Sequence, residues 1–354
     1  MTVNDSKQWI SDLDLALSDL SELRELEGSY ILITGATGLI CSAIVDMLIR
    51  YNEQHENKIH VVAACRRYET YYRRFEQYCN RDYLHFAEYD ATRFDNVIEY
   101  PVDYIIHGAS NASPDKISSE PVETMLANFA GTLNLMQIAK QHCAKRLLYI
   151  SSSEIYGKKE HIEPYMENDY GFVDPLCKRN AYSISKRAAE TLCVSFAEEY
   201  GMVPVIVRPG HIYGPTASPK DSRASSVFAY ASAMRNAIVM KSKGEQIRSY
   251  CYCVDCASAI LKVLFCGASC EAYNISNTES IISIRDMAEM FAKVGDVNIW
   301  DEEASQEEKA TFNPMSNSSL NSEKLIGLGW KGHFGAYEGL SHTINILREI
   351  ESDT

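Results

Sequence analysis

The sequence predicts an α/β protein: a doubly wound parallel sheet with a smaller mixed C-terminal lobe. Short apolar runs alternate with helical stretches through the first 208 residues. A glycine turn, Gly35-Ala36-Thr37-Gly38, stands between the first run and the first helix. After Arg208 the pattern loosens, with Gly210, Gly214, Pro215 and Pro219 marking loops.

Residues 6–27 place Trp9, Ile10, Leu13, Leu17, Leu20, Leu23 and Leu26 at helical spacing among acids, which predicts an amphipathic helix or helix pair capping the domain surface. Strands are expected at Tyr30–Thr34, Ile59–Ala64, Leu84–Glu88, Tyr104–His107, Arg146–Ser151 and Val203–Arg208. Helices are expected at Cys41–Tyr51, Pro121–His142 and Tyr182–Tyr200. Apolar strands joined by helices fit a parallel sheet covered on both faces. Beyond it, helices are expected at Ser226–Met240, Asp255–Phe265 and Ile284–Val294, with a tail from Asn313. The acidic stretch Asp301–Lys309 reads as a solvated helix or loop.

Bulk properties narrow the function. The chain has 354 residues, 46% hydrophobic and 23% charged, with a net charge of −14. That balance speaks against a nucleic-acid partner, because a phosphate backbone needs a basic face. No apolar run approaches the roughly eighteen residues that span a bilayer. No basic-then-apolar leader opens the sequence, so the eleven cysteines read as reduced thiols and the expected compartment is the cytoplasm.

The glycine turn has the form in which backbone approaches a pyrophosphate at a helix N-terminus, the Rossmann arrangement. Its third glycine is replaced by Cys41. The second strand ends Cys65-Arg66-Arg67, where an NAD enzyme usually offers an acid to the ribose. The two arginines suit a 2′-phosphate, which leaves NADP open; alternatively Arg66 stacks on adenine and Arg67 faces solvent. Asp90 suits the adenine amino group, and His107-Gly108-Ala109-Ser110 supplies small residues beside the phosphates.

The chemistry stands in Ser151-Ser152-Ser153-Glu154-Ile155-Tyr156-Gly157 and Tyr182-Ser183-Ile184-Ser185-Lys186. Tyr182 and Lys186, four apart, share a helix face, and a nearby ammonium favours the phenolate. With a strand-end serine hydroxyl, that pair suits hydride removal from a secondary alcohol beside a nicotinamide. The Glu154 carboxylate adds a group that simple oxidation does not need.

These motifs, with NFAGT at 128–132 and RPGHIYGP at 208–215, resemble the extended short-chain dehydrogenase/reductase family over about Ser29 to Trp330. Its members include nucleotide-sugar epimerases, dehydratases and decarboxylases that serve polysaccharide biosynthesis. The resemblance implies an N-terminal helical extension (1–28), a cofactor-binding domain (29–208) and a mainly substrate-binding lobe (209–354) interleaved with it. It makes Ser152, Glu154, Tyr182 and Lys186 the catalytic residues, Tyr182 as base and Lys186 holding the ribose. Cofactor contacts are implied for Gly35, Thr37, Gly38, Leu39, Ile40, Arg66, Asp90 and Ala91, and for His107, Gly108, Ala109, Asn128, Ser151, Tyr182, Lys186 and Pro209. Substrate contacts are implied for Ser110, Ser113, Ser153, His211, Arg223 and Arg248. His211 departs from the usual Asn and reads either as a neutral donor or as a loop histidine.

Among subclasses, 4,6-dehydratases use a Glu here to take the C5 proton, and many place an Asp before it to protonate the leaving hydroxyl. Ser153 occupies that second place. Ser-Ser-Glu fits both UDP-glucuronate decarboxylases and GDP-mannose dehydratases, and the loops Ser110–Pro114, Asp221–Arg223 and Gln246–Arg248 resemble those of the decarboxylases. A 4,6-dehydratase or 4-epimerase is the second reading, and a non-catalytic binding protein on the cofactor fold the third. The expected cofactor is NAD, the expected substrate a nucleotide sugar with UDP favoured, and the expected assembly a homodimer through the helices at 121–142 and 182–200. Cys251-Tyr252-Cys253 reads as residues alternating along a strand rather than a metal cluster, and no metal is expected.

Overall fold

A computed structural model of the chain describes residues 2–159, 163–313 and 315–352. Residues 1, 160–162, 314, 353 and 354, which belong to the expected extension, cofactor-binding domain and C-terminal lobe, lie outside the described residues.

The strands are β1 (Tyr30–Thr34), β2 (His60–Cys65), β3 (Leu84–Glu88), β4 (Tyr104–His107), β5 (Arg146–Ile150), β6 (Pro204–Pro209), β7 (His211–Tyr213), β8 (Ile238–Met240), β9 (Ile247–Tyr252), β10 (Ala272–Ile275), β11 (Ile281–Ser283), β12 (Ile299–Asp301) and β13 (Asn317–Ser318). The helices are α1 (Lys7–Leu17), α2 (Leu39–Gln54), α3 (Tyr68–Phe75), α4 (Pro114–Ser119), α5 (Pro121–Gln141), α6 (Ala181–Tyr200), α7 (Ala224–Ala233), α8 (Cys253–Cys266), α9 (Ile284–Gly295), α10 (Gln306–Thr311), α11 (Glu323–Ile326) and α12 (Ala336–Ser352).

Seven parallel strands form the main sheet in the order β10-β6-β5-β4-β1-β2-β3. The reversal of direction at β1 and β4 opens a crevice beyond their C-terminal ends, the usual ligand position in such sheets. Successive residues of each strand enter different cores: Ile31 and Ile33 pack on the side of α2 and α8, Leu32 on the side of α5 and α6. Burial on both faces is why the strands read as unbroken apolar runs. The seventh strand comes from residues 272–275, so the C-terminal segment is threaded back into the sheet.

The N-terminal extension folds as α1 followed by a 3₁₀ turn at Ser21–Leu26. Trp9 is fully buried and its indole N–H donates to Asp46 of α2 at 3.2 Å. Asp12 accepts from the Tyr252 hydroxyl at 2.9 Å and lies 3.1 Å from His342 of α12. The helix that seals the surface thus also ties α2 to the C-terminal helix.

In the C-terminal part, two expectations are corrected. The helix expected over Ser226–Met240 ends at Ala233, and Arg235 adopts the left-handed region (φ 56°). Ile238–Met240 then becomes β8, paired with β12 in the register Ile238↔Ile299. Its partner lies some sixty residues on, outside the reach of any local pattern. Likewise Cys251 and Cys253 do not alternate along one strand: β9 ends at Tyr252 and Cys253 opens α8. In the first turn of that helix the Asp255 carboxylate accepts the backbone N–H groups of His333 (2.9 Å) and Phe334 (3.0 Å), docking the tail against it. The acidic stretch at 301–309 runs from the end of β12 into α10, whose Ser305–Glu308 capping box starts the helix.

Candidate active site

The glycine turn closes against the end of β4. Gly35 has φ +69°, and a Cβ there would lie 2.9 Å from the backbone of Ala109, so only glycine passes. Gly38 caps α2. Cys41, in place of the third glycine, packs its sulfur where a Cβ on Gly108 would approach to 2.3 Å. Burial pushes its thiol up to about 12, so it stays a neutral, space-filling group.

A cleft of about 330 Å³ opens beside this turn, lined by Gly35, Thr37, Gly38, Arg66, Asp90, Ala91, Gly108, Ala109 and Ser110 among others. Ala91 packs against Gly131 of α5, where a Cβ would meet the Ala91 carbonyl at 2.7 Å. Leu39 accepts a hydrogen bond from Thr216 through its carbonyl at 2.8 Å, and Ile40 follows it in the first turn of α2. Asn128 bridges three elements: it accepts from Ser110 (2.7 Å) and donates to Ser185 of α6 (3.0 Å). His107 is buried beneath the cleft, its Nδ1 2.7 Å from the Thr34 hydroxyl, and burial lowers it to about 3, so it is neutral. Pro209 closes β6 and is buried.

Two observations fit a dinucleotide here. The Gly35 turn leaves a cradle that any side chain would fill. The Ser151 hydroxyl at the end of β5 is buried without a partner among the described residues.

The chemical end is built by β5, a 3₁₀ turn and α6. After β5 the chain turns at Ser153–Tyr156, where the Ser152 hydroxyl accepts from the Glu154 N–H at 3.2 Å. Ser153 is buried in that turn. Tyr182 and Lys186 lie on the inner face of α6, both buried. The Lys186 ammonium donates to the Ile150 carbonyl at 2.7 Å and sits 5.8 Å from the Tyr182 ring centre.

The expected phenolate is not what this pocket favours. Burial, and then the Glu154 charge, push the Tyr182 hydroxyl up to about 12, while its hydrogen bond with Ser152 acts in the other direction. Burial likewise lowers Lys186 to about 7 despite Glu190 nearby. Desolvation disfavours the charged form of each and is the largest cause of both shifts.

Glu154 has a partner that the sequence did not reveal. Both its oxygens receive Arg179, Nη1 and Nη2 each at 3.0 Å. Arg179 stands in the 3₁₀ turn Lys178–Asn180 that leads into α6, and its Nε donates to the Thr311 carbonyl of α10 at 3.2 Å. Burial opposes the guanidinium's charge, but Glu154 more than offsets this. The only local signal was an arginine one turn before Tyr182. Deeper, Arg208 forms a second bidentate pair with Glu190, at 2.7 and 3.0 Å.

The smaller lobe brings the expected substrate residues to the same side. Arg248 lies in β9, opposite Ile282 of β11 and Ser318 of β13. It is 3% exposed, donates to the Ile247 carbonyl at 2.9 Å, and has no ion-pair partner among the described residues. A buried cation without an acid is costly unless a ligand anion completes it. His211, in β7, is lowered to about 3 by burial and by Arg248 and Arg223. Arg223 is held by Asp221, and Ser222 donates to Asp115 of α4, just past Ser113 at the helix cap. Among the described residues no group of three or more His, Cys, Asp or Glu is placed to hold a metal, and no helix is long and apolar enough to cross a membrane.

Comparison with known proteins matches residues 31–276 to the model of the NAD dependent epimerase/dehydratase family. UDP-glucuronic acid decarboxylase 3 of Arabidopsis thaliana is 31% identical over 310 residues, covering 88% of this chain and 86% of that protein. The dTDP-D-glucose 4,6-dehydratase of Homo sapiens is 25% identical over 325 residues, 90% of each. The UDP-glucuronic acid 4-epimerase of Bacillus cereus, solved with UDP-glucuronic acid and NAD, shares the fold with a TM-score of 0.75 at 19% identity, over 91% of this chain and 99% of that one.

Proposed function

The chain belongs to the NAD dependent epimerase/dehydratase family, and from that premise we propose that it decarboxylates a nucleotide-linked uronic acid, with UDP-glucuronate as the substrate. It is an NAD-dependent enzyme of nucleotide-sugar metabolism; the decarboxylation step and the choice of sugar are our own reading. The Arg179–Glu154 pair carries it. Dehydration of the kind described above asks one carboxylate to take a proton and a second acid to protonate a leaving hydroxyl. Here both oxygens of Glu154 are engaged by a guanidinium, and Ser153 stands where the acid would be. Decarboxylation needs neither group. The curated decarboxylases at about 30% identity support the same choice.

The Gly35 turn, Thr37, Asp90, Ala109 and the Ser151 hydroxyl would hold the dinucleotide, with Lys186 at its ribose. Bound there, NAD supplies reversible storage of the C4 hydride. Tyr182 takes the proton of the C4 hydroxyl, and Ser152 hydrogen-bonds the same oxygen. With C4 a ketone, the C5 carboxylate is β to a carbonyl and its C–C bond breaks heterolytically. Carbon dioxide leaves, and the electron pair passes into the enolate. Tyr182 protonates that oxygen, C5 takes a proton, and C4 returns to the alcohol. Net, one proton is taken up and one carbon dioxide released. Arg248 and Arg223, with His211 as a neutral donor, meet the diphosphate and sugar. Arg179 keeps the Glu154 charge from repelling the substrate carboxylate.

Incubating the purified chain with UDP-glucuronate is expected to release carbon dioxide and form UDP-xylose without net consumption of NAD. Conversion of UDP-glucose to a 4-keto-6-deoxy product, or interconversion of two sugars without loss of mass, would replace this reading with the dehydratase or epimerase.

We further propose a homodimer. Val122, Met125, Leu126 and Phe129 on α5 are all exposed, beside the similarly long α6. A second copy packing its own α5 and α6 there would cover them. Light scattering is expected to give twice the chain mass of 39.9 kDa; a monomer at micromolar concentration would refute the dimer.

A further inference from the structure

We infer that Tyr149 is a positioning residue for the proton-transfer pair: the face of its ring holds the Lys186 ammonium charged and in place beside Tyr182. The inference rests on Lys186 as the cation of the site, and it holds whichever sugar is bound.

Strand alternation puts the ring there. In β5, Leu147 and Tyr149 face the layer of α5 and α6, while Leu148 and Ile150 face the opposite core. Tyr149 is therefore directed at the helix that carries Lys186, and the two residues are 1% and 3% exposed. The Lys186 Nζ stands 4.7 Å from the Tyr149 ring centre and 5.8 Å from that of Tyr182, within the range of about 6 Å over which a cation is drawn to an aromatic face. Packing fixes the nearer ring: His107 is its neighbour across β4 and β5, with ring centres 5.7 Å apart.

The other groups around the ammonium do little to keep its charge. It donates to the Ile150 carbonyl at 2.7 Å. Cys41 on α2 and Cys193 on α6 are thiols that burial pushes up, and His107 on β4 is held neutral. Glu190, one turn further along α6, favours the charged form, but both its oxygens are taken by Arg208. Burial accordingly lowers Lys186 to about 7. A ring quadrupole attracts a cation most strongly where water is excluded, and that describes this pocket.

Tyr149 offers the site its ring rather than its hydroxyl. That hydroxyl is buried and makes no hydrogen bond among the described residues; Thr132, close to it, donates instead to the Asn128 carbonyl. Burial holds it well above its ordinary value, so it stays protonated and the ring stays neutral. A buried hydroxyl without a partner costs stability, which leaves the aromatic face as the part with a use.

Urea unfolding of the full-length chain, compared at each pH with Lys186→Met, tests this without cofactor or substrate. The unfolded chain keeps the Lys186 proton to about pH 10 and the folded chain only to about 7. The stability difference is therefore flat at low pH and rises above a break that marks the folded value. Tyr149→Leu, compared with its own Lys186→Met double variant, is expected to lower that break by about one unit. Tyr149→Phe keeps the ring face and is expected to leave the break within about 0.3 unit of the native one. With UDP-glucuronate as substrate, the alkaline limb of kcat should move down with the break in Tyr149→Leu alone. A purely structural Tyr149 would lower stability equally at every pH and leave the break in place. That result, or a shift in Tyr149→Phe as large as in Tyr149→Leu, would overturn the inference. Should Tyr149→Leu fail to fold, mono-, di- and trifluorinated phenylalanine at the same position weaken the ring face in steps at nearly constant shape. The break should then fall with each added fluorine, and a constant break would again overturn the inference. If the native chain left UDP-glucuronate unchanged, the decarboxylase reading would fall while the titration still decided the role of Tyr149.

Discussion

Replacing Tyr182 by Phe is expected to lower kcat by about a thousandfold, in the range of a lost general acid–base group. The phenyl ring keeps the buried volume on α6, and Lys186 keeps its bond to the Ile150 carbonyl, so the fold and NAD affinity should change little. What is lost is the one hydroxyl that the pocket presents with a Ser152 hydrogen bond. In the ligand-free chain that hydroxyl is protonated at neutral pH, because burial holds it up to about 12. The Ser152 hydrogen bond and the charges of Arg223 and Arg179 act in the other direction, toward the phenolate that the proposed role as base requires. Carbon dioxide release from UDP-glucuronate measures the loss, with NAD binding as the control. A Phe variant retaining a tenth of native turnover would remove Tyr182 from the proton transfer.

The second large effect is on stability. Arg179→Ala is expected to cost about 3 kcal/mol, the lower end for breaking a buried pair by removing one partner. The Arg179 side chain is 8% exposed and that of Glu154 18%, so water restores little of the lost interaction. The variant also releases the Thr311 carbonyl, loosening α10 over the site. Combining it with Glu154→Gln should recover part of the loss, since the stranded charge disappears. Urea unfolding of the two single variants and the double variant gives the coupling directly. Strict additivity would show that the pair contributes nothing beyond its separate side chains. For turnover, the Ala variant tests the decarboxylase reading: a freed Glu154 beside a substrate carboxylate should raise KM more than it lowers kcat.

Much of the fold is local in origin, and to that extent legible. Ile31 and Ile33 face one layer of helices and Leu32 the other, and such double burial leaves an unbroken apolar run in the chain. The Gly35 turn was readable because a positive φ against the Ala109 backbone admits no other residue. Tyr182 and Lys186 were readable because four residues make one helical turn. Where local rules failed, a distant partner had decided. α7 stops short where Ile238–Met240 pairs with β12, and the first turn of α8, which opens at Cys253, carries the docked tail around His333.

By itself, the sequence determined the layered sheet, the glycine turn and the residue types of the candidate trio Ser152, Tyr182 and Lys186, all of which follow from periodicity, turn chemistry and spacing. Tertiary structure alone decided which way Tyr182 and Lys186 titrate and the partner of Glu154. Arg179 meets Glu154 only once the 3₁₀ turn after β5 is packed against the start of α6. The Tyr182 hydroxyl is pushed up to about 12 and Lys186 down to about 7 because burial removes the water that would stabilise charge. Desolvation is a property of the folded surroundings, and no spacing of residues along a chain encodes it directly.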